Sequence, residues 1–260
     1  MGILNLTPDS FSDGGRFLAR DAALAHARQM VRDGAAIIDI GGESTRPGAQ
    51  PVSAEQELER VVPVVEALAG EVPVPISIDT FKPEVMRAAV AAGAGMINDI
   101  MALQASGALQ AAAETAVPVC LMHMRGEPRT MQDAPEYGDV VADVRRFLSE
   151  RRDACLAAGI PGSRILLDPG FGFGKTLGHN LSMLKHLRSF ASLDAPILVG
   201  ISRKSMIGAL LEGAPVDKRV YGGLAAAVLA ANEGAAIIRT HDVRETVEAL
   251  CVAQAVLSAE

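Results

Sequence analysis

Eight short apolar runs along this chain each end on a polar residue or a glycine, and segments of helical length separate them. Runs rich in Ile, Leu and Val that alternate with helical segments are typical of βα units. A polar residue that recurs at the same end of successive parallel strands indicates that this end carries a site. The runs are Ile3–Asn5, Ile37–Asp39, Ile76–Asp79, Met96–Asp99, Val119–His123, Ile165–Asp168, Ile197–Gly200 and Ile237–Arg239.

The segments between the runs are amphipathic or rich in alanine, and several carry helix start and stop signals. Ser53 with Gln56 forms a capping-box pattern, and Pro83 suits the first turn of a helix. Glycines stand where helices should end before the next run, at Gly34, Gly93, Gly159 and Gly234. The predicted helices span approximately Arg20–Asp33, Ser53–Ala69, Pro83–Ala92, Ala105–Glu114, Asp139–Ala158, Asn180–Leu187, Gly222–Glu233 and Val243–Leu257.

The repeated strand–helix order predicts an α/β fold: a single-domain (β/α)8 TIM barrel over residues 1–260, with its active site at the C-terminal ends of the strands. An open doubly wound sheet is the alternative, but it would concentrate its chemistry at one switch point. Polar residues at the ends of nearly all the predicted strands favour a closed barrel over an open sheet. Met1 leads directly into the first strand, so either side chains alone close the N-terminal mouth of the barrel or a native leader missing from this chain covers it, and we expect the second.

Composition excludes several classes of protein. The formal net charge of −7 disfavours a general nucleic-acid or anionic-membrane surface, since both need a basic face. No uninterrupted apolar stretch reaches the length of about 18 residues that a membrane span requires. The cysteines Cys120, Cys155 and Cys251 are scattered, as expected of reduced thiols, and the N-terminus lacks a basic signal region. We therefore expect a cytoplasmic protein.

The loops that follow five of the runs are long and rich in Gly, Pro, Ser, Thr and charge, as binding loops on a rigid scaffold are. They are Asn5–Gly15, Asp39–Ala49, His123–Gln132, Asp168–Lys175 and Gly200–Ser205, and the last run leads into Arg239–Asp242. The stretch 170–176 is similar to a phosphate-binding loop at first sight, but Pro169 stands where a Walker A motif needs its first glycine.

Five of these segments (those beginning at Asn5, Asp39, Asp168, Gly200 and Arg239), together with Ser77–Thr80 and Ile97–Asp99, closely resemble the dihydropteroate synthases of folate biosynthesis in order and spacing. The resemblance covers almost the whole chain. It implies a transferase that condenses (7,8-dihydropterin-6-yl)methyl diphosphate with 4-aminobenzoate, giving 7,8-dihydropteroate and diphosphate. It also implies Mg²⁺ as cofactor and a homodimer formed through the late helices, for which the two last predicted helices are the candidates.

The resemblance assigns pterin recognition to Asp79, Asn98 and Asp168, which end three of the runs and can converge in the barrel mouth. A carboxylate accepts paired N–H bonds, and an asparagine both donates and accepts. Helix capping is the alternative role for any one of them. Lys204 is expected to touch the pterin and to close one side of the second pocket, whereas Arg203 is a structural candidate. Two roles are equally credible for Met122: packing on the pterin ring and packing in the core.

Binding of the diphosphate is assigned to Asn5, Thr45, Arg239 and His241. Barrels often bind phosphate near strands 7 and 8, and a guanidinium with an imidazole suits that anion. Asn5 is also the expected Mg²⁺ ligand, because this ion keeps most of its waters and takes few protein oxygens. Backbone capping in the first loop is its alternative role. Weaker candidates for supporting the metal or the leaving group are Asp9, Asp13 and Asp39.

Residues that match the 4-aminobenzoate pocket of the family are Phe11, Thr45, Arg46, Pro47, Phe173 and Ser205. The catalytic candidates are Lys204, Arg239 and Asp79. Cleavage of the C–O bond puts negative charge on diphosphate, and Asp79 binds the pterin edge that becomes positive. Two alternatives stay open: a pterin-dependent methyltransferase domain of the same superfamily, and a pterin-binding paralogue without catalysis. The Ser202–Lys204 and Thr45–Pro47 segments argue against the first, and intact Asn5 with Arg46 argues against the second.

Overall fold

The computed structural model describes residues 1–7, 15–44, 48–126, 131 and 135–259, without the side chains of residues 15–19. The strands are β1 (Gly2–Asn5), β2 (Ile38–Gly41), β3 (Ile76–Asp79), β4 (Met96–Asp99), β5 (Val119–Met122), β6 (Ile165–Asp168), β7 (Leu198–Val199) and β8 (Ile237–Ile238). The helices are α1 (Gly15–Arg32), α2 (Ala54–Ala69), α3 (Pro83–Ala91), α4 (Ala108–Thr115), α5 (Val140–Ala157), α6 (Leu177–Lys185), α7 (Ser205–Leu210), α8 (Val220–Asn232) and α9 (Val243–Leu257).

All neighbouring strands run parallel, and the sheet closes on itself. Strands β1 to β6 pair in chain order, and β7 pairs with β8. An isolated bridge between Leu167 and Ile197 joins β6 to the start of β7, and one between Gly2 and Thr240 joins the end of β8 to β1. The second contact includes hydrogen bonds from the Ile3 amide to the Thr240 carbonyl and from the Thr240 amide to the Met1 carbonyl, both 3.0 Å. The predicted barrel is confirmed.

Alternation along the strands divides the apolar residues into two layers. Ile38 and Ile40 of β2 belong to the large core between strands and helices, whereas Asp39 lies between them in sequence and points into the barrel. The lower interior of the barrel is apolar, with Met96, Cys120 and Leu198 packed together. The upper interior is polar, because aspartate, asparagine and arginine side chains occupy the inward positions nearest the C-terminal ends of the strands.

Local signals placed most helix boundaries correctly. Ser53 Oγ accepts from the Gln56 amide at 3.2 Å, and the Gln56 side chain accepts from the Ser53 amide at 3.3 Å, so the predicted capping box is present. Pro83 begins α3. The four glycines predicted to end helices all have positive φ, between 86° and 115°, which favours glycine over other residues.

Several helices differ from the prediction: α1 begins at Gly15 and not at Arg20, and α4 begins at Ala108 and not at Ala105. Helix α6 begins at Leu177 and not at Asn180, because Thr176 caps it and His179 supplies the reciprocal bond that a Glu or Gln usually makes. Helix α7 was not predicted, since its six residues are too few for an amphipathic pattern. In the described part of the chain, none of the helices has the length and apolar character needed to cross a membrane.

Candidate active site

An arginine from the last strand lies inside the barrel mouth between two carboxylates. Nε of Arg239 lies 2.6 Å from Oδ2 of Asp39, and its Nη2 lies 2.8 Å from Oδ2 of Asp79. Asn98 Nδ2 donates to the same Asp39 oxygen at 3.2 Å. The side chains of β2, β3, β4 and β8 are therefore joined in one buried network, in which Asp39 Oδ1 has no hydrogen-bond partner among the residues that the structure describes.

This network contains two carboxylates for one guanidinium, so its charges do not balance. Burial raises the pKa of Asp79 to about 7, against the opposing charge of Arg239 and with the support of the Asp39 charge. Burial opposes the charge of Arg239 as well, but the two carboxylates raise the pKa of this guanidinium above its ordinary value. Arg239 is thus a permanent cation, whereas Asp79 exchanges its proton near neutral pH.

A second group of side chains comes from the ends of β6 and β7. Asp168 is buried, and its Oδ1 accepts from the Gly170 amide at 2.7 Å. Lys204 donates to the Phe171 carbonyl, and its Nζ lies 4.5 Å from the centre of the Phe173 ring. Burial lowers the pKa of Lys204 to about 8, while the Asp168 charge acts in the opposite direction. Burial likewise raises the pKa of Asp168 against the charge of Lys204.

The side chains that follow β7 and β8 make two separate sets of contacts. Arg239 bonds inside the barrel, whereas His241 Nδ1 lies 3.1 Å from Ser202 Oγ, which also accepts from the His241 amide at 3.1 Å. Arg203, the structural candidate, forms an ion pair with Asp242, with Nε 3.1 Å from Oδ2. The side chains of Arg239 and His241 are therefore held by different partners.

The remaining predicted residues fall in three places. Met122 is buried at the end of β5, in register with Asp168, and the exposed Ser205 begins α7. A Cβ on Gly41 would lie 3.9 Å from Asn5 Oδ1 and 3.7 Å from Asp79 Oδ2, so these two oxygens lie near the same backbone position at the end of β2. Six predicted residues lie outside the described residues: Asp9, Phe11, Asp13, Thr45, Arg46 and Pro47.

The comparisons with known proteins agree on one family. A sequence profile described as "Pterin binding enzyme" matches residues 1–241. The dihydropteroate synthase of Escherichia coli strain K12 is 58% identical over 260 residues, which are 100% of this chain and 92% of that protein. This chain belongs to the dihydropteroate synthase family. Its membership confirms the predicted family and the predicted enzyme class, a transferase of folate synthesis.

Solved structures of the family superpose closely on this fold. The Xanthomonas albilineans dihydropteroate synthase with 4-aminobenzoic acid has a TM-score of 0.95 and 55% identity, covering 100% of this chain and 93% of the other. The same enzyme in complex with 7,8-dihydropteroate has a TM-score of 0.92 and 52% identity, covering 100% and 94%. The full coverage also favours the synthase over a methyltransferase domain.

Sequence reasoning gave too little weight to three buried residues of this mouth. Asp39 carried a signal, since it is the polar end of the second apolar run, yet its pairing with Arg239 was not expected. His123 is the first residue of the loop after β5, and its Nδ1 lies 2.9 Å from Nζ of Lys175. Lys175 carried no usable signal, because a lysine beside a glycine-rich segment is usually exposed.

Proposed function

We propose that this chain condenses (7,8-dihydropterin-6-yl)methyl diphosphate with 4-aminobenzoate to give 7,8-dihydropteroate and diphosphate. The observation that carries the proposal is the polar upper interior of the barrel, where buried carboxylates from β3 and β6 accompany Asn98 and Lys204. Relatives of the family bind 4-aminobenzoic acid and 7,8-dihydropteroate, and their high identity to this chain supports the same two ligands here.

The pterin would be held by the buried acceptors and donors of the mouth. Asp79 and Asp168 accept N–H bonds from the aminopyrimidinone edge, and Asn98 supplies both kinds of partner. Lys204 contacts the ring system from the β7 side, and Met122 packs against it. As the C–O bond breaks, the carbon that leaves diphosphate gains positive charge. The excess of carboxylate over guanidinium beside Asp79 stabilises this charge on the pterin.

Diphosphate would lie toward Asn5, Thr45, Arg239 and His241. In the described part of the chain, Nη1 of Arg239 makes no hydrogen bond, so one face of the guanidinium is available to an anion. His241 supplies a second N–H group. These cationic and polar groups stabilise the negative charge on the departing diphosphate, and the positioned arylamine attacks without needing a strong base.

Mg²⁺ fits the donor set of this end of the barrel. Among the described residues, no group of three His, Cys, Asp or Glu side chains is arranged to hold a metal. The neutral Asn5 oxygen at the end of β1, near Gly41, suits an ion that keeps most of its waters and travels with phosphate. Bound there, Mg²⁺ would neutralise diphosphate charge, and Asn5 is the protein ligand we propose.

The arylamine pocket would be formed by Phe173, Ser205 and Lys204 together with Phe11, Thr45, Arg46 and Pro47. We further propose a homodimer through α8 and α9. Support comes from the large apolar side chains that these helices leave exposed, such as Tyr221 at 85%, Val252 at 66% and Val256 at 69%. A cytoplasmic location is proposed from the scattered cysteines.

The test is diphosphate release with both substrates and Mg²⁺, compared with reactions that omit one component each. We expect release only in the complete mixture, coupled to formation of 7,8-dihydropteroate. Pterin binding without release would favour the non-catalytic paralogue, and methyl transfer would favour the methyltransferase.

Lys204→Ala should raise KM for both substrates by about 10-fold or more, since a charge-assisted bond is worth about 1.5–3 kcal/mol. Lys185→Ala, at an exposed lysine of α6, is the matched control and should leave both KM values unchanged. Unchanged kinetics in Lys204→Ala would contradict the role given to this lysine.

A further inference from the structure

A lysine that the proposed reaction does not use is buried beneath the loop between β6 and α6 (residues 169–176). Lys175 is 3% exposed. Its Nζ lies 2.8 Å from the Gly170 carbonyl oxygen, 3.0 Å from that of Phe173 and 2.9 Å from Nδ1 of His123, with the His123 carbonyl oxygen further away at 3.4 Å. The amine therefore joins two points of its own loop to the residue that follows β5.

The surroundings of this lysine are unusual for a buried amine. In the described part of the chain, no carboxylate lies within ion-pair distance of its Nζ, so its partners are carbonyl oxygens and an imidazole nitrogen. An ammonium loses much solvation free energy on burial and keeps its position only when its donors are satisfied. Because the acceptors belong to backbone, satisfying the amine fixes the path of the loop.

The same loop also contacts Lys204. The Phe171 carbonyl accepts from Lys204, and the Phe173 ring lies beneath its Nζ. The loop passes close to the end of β5, and position 170 admits no side chain, because a Cβ on Gly170 would lie 1.8 Å from the His123 carbonyl oxygen. Gly170 also has a φ of 70°, and its amide donates to Asp168. Phe173 thus contacts both lysines, Lys175 through its carbonyl and Lys204 through its ring.

We infer that Lys175, with His123, is a positioning residue for Lys204: it fixes the carbonyl of Phe171 and the ring of Phe173 at the place where Lys204 binds them. The inference extends the role that the proposed function gives to Lys204. Loss of the Lys175 amine would release the Gly170 and Phe173 carbonyls and expose Lys204 to water.

The first experiment replaces the amine while keeping the length of the side chain. Lys175→Met should raise KM for both substrates by about 10-fold, and Lys185→Met is the exposed control from α6, with no expected change. A pH titration of the Lys204 amine, followed by NMR with ¹³C-labelled lysine and assigned through Lys204→Ala, reports on position without any activity. In Lys175→Met its pKa should rise from about 8 toward the ordinary lysine value.

A second pair of variants keeps the inference testable if Lys175→Met does not fold. His123→Asn keeps an acceptor oxygen near the position of Nδ1, whereas His123→Leu removes it. We expect near wild-type KM values and Lys204 pKa in the first, and the Lys175→Met behaviour in the second. Equal behaviour of the two variants, or a folded Lys175→Met with unchanged KM and Lys204 pKa, would overturn the inference. An inactive wild-type chain with a shifted Lys204 pKa in Lys175→Met would contradict only the proposed function.

Discussion

Two buried basic side chains of the barrel mouth, Arg239 and Lys175, have different kinds of partners. Arg239 lies between the carboxylates of Asp39 and Asp79, which raise the pKa of its guanidinium although burial opposes it. Lys175 lies among carbonyl oxygens and the His123 ring, and burial lowers the pKa of its amine well below the ordinary value. The comparison shows that burial alone does not decide the charge of a group; the partner atoms do.

The difference matches what each side of the mouth has to do. On the β2, β3 and β8 side, a permanent guanidinium is held in place between two carboxylates, which suits the stabilisation of charge in a transition state. On the β5 and β6 side, Lys175 donates hydrogen bonds to backbone carbonyl oxygens and does not pair with a carboxylate. This arrangement suits the positioning of a loop.

The largest effect is expected from Arg239→Met. The change leaves two buried carboxylates without their shared cation, and breaking a buried pair costs about 3–5 kcal/mol. The free energy of unfolding in urea should fall by that amount at pH 7.5. Arg28→Met is the surface control, because both side chains of the Arg28–Glu71 pair are more than 40% exposed, and its cost should stay below about 1 kcal/mol. Similar losses in both variants would contradict the importance of the buried network.

Replacing Lys175 by methionine should lower the free energy of unfolding by less than Arg239→Met does. Lys175→Met leaves backbone carbonyls without donors but leaves no carboxylate unpaired, so we expect a loss of about 1–3 kcal/mol. Urea unfolding measured beside Arg239→Met gives the comparison directly. A loss at Lys175 as large as that at Arg239 would mean that the amine balances a charge which the contacts do not reveal.

The smallest effect is a change in pH dependence. The folded-state pKa of Asp79 is raised to about 7, so the folded chain binds an extra proton between the ordinary aspartate value and 7. The stability that Asp79 contributes is complete below the ordinary value and is lost as pH rises through 7. The Tm of the wild-type chain should therefore fall between pH 5 and 8, and Asp79→Asn should fall less steeply.

Part of the fall should remain in Asp79→Asn, because burial raises the pKa of Asp99 to about 7 as well. Glu114→Gln changes an exposed carboxyl and should reproduce the wild-type slope. An Asp79→Asn slope equal to the wild-type slope would show that Asp79 does not hold the extra proton.

Local sequence patterns were sufficient to predict the strands of this fold and its helices other than α7, though not every helix boundary. The alternation of buried Ile38 and Ile40 with Asp39 sets which residues face the barrel, and Ser53, Pro83 and the helix-ending glycines mark helix boundaries through their own backbone chemistry. The order and spacing of the loop segments also indicated the family. These signals act over a few residues, so they are present in the chain before it folds.

The partners of the polar strand ends were decided only by the tertiary structure. Arg239 and Asp39 are 200 positions apart, and Lys175 and His123 are 52 apart. Each pair meets because the barrel closes with a particular register, and each polar group then needs a partner in place of water. The sequence shows that Lys175 is a lysine beside glycines. Burial among the Gly170 and Phe173 carbonyls, which local pattern does not encode, makes it part of the site.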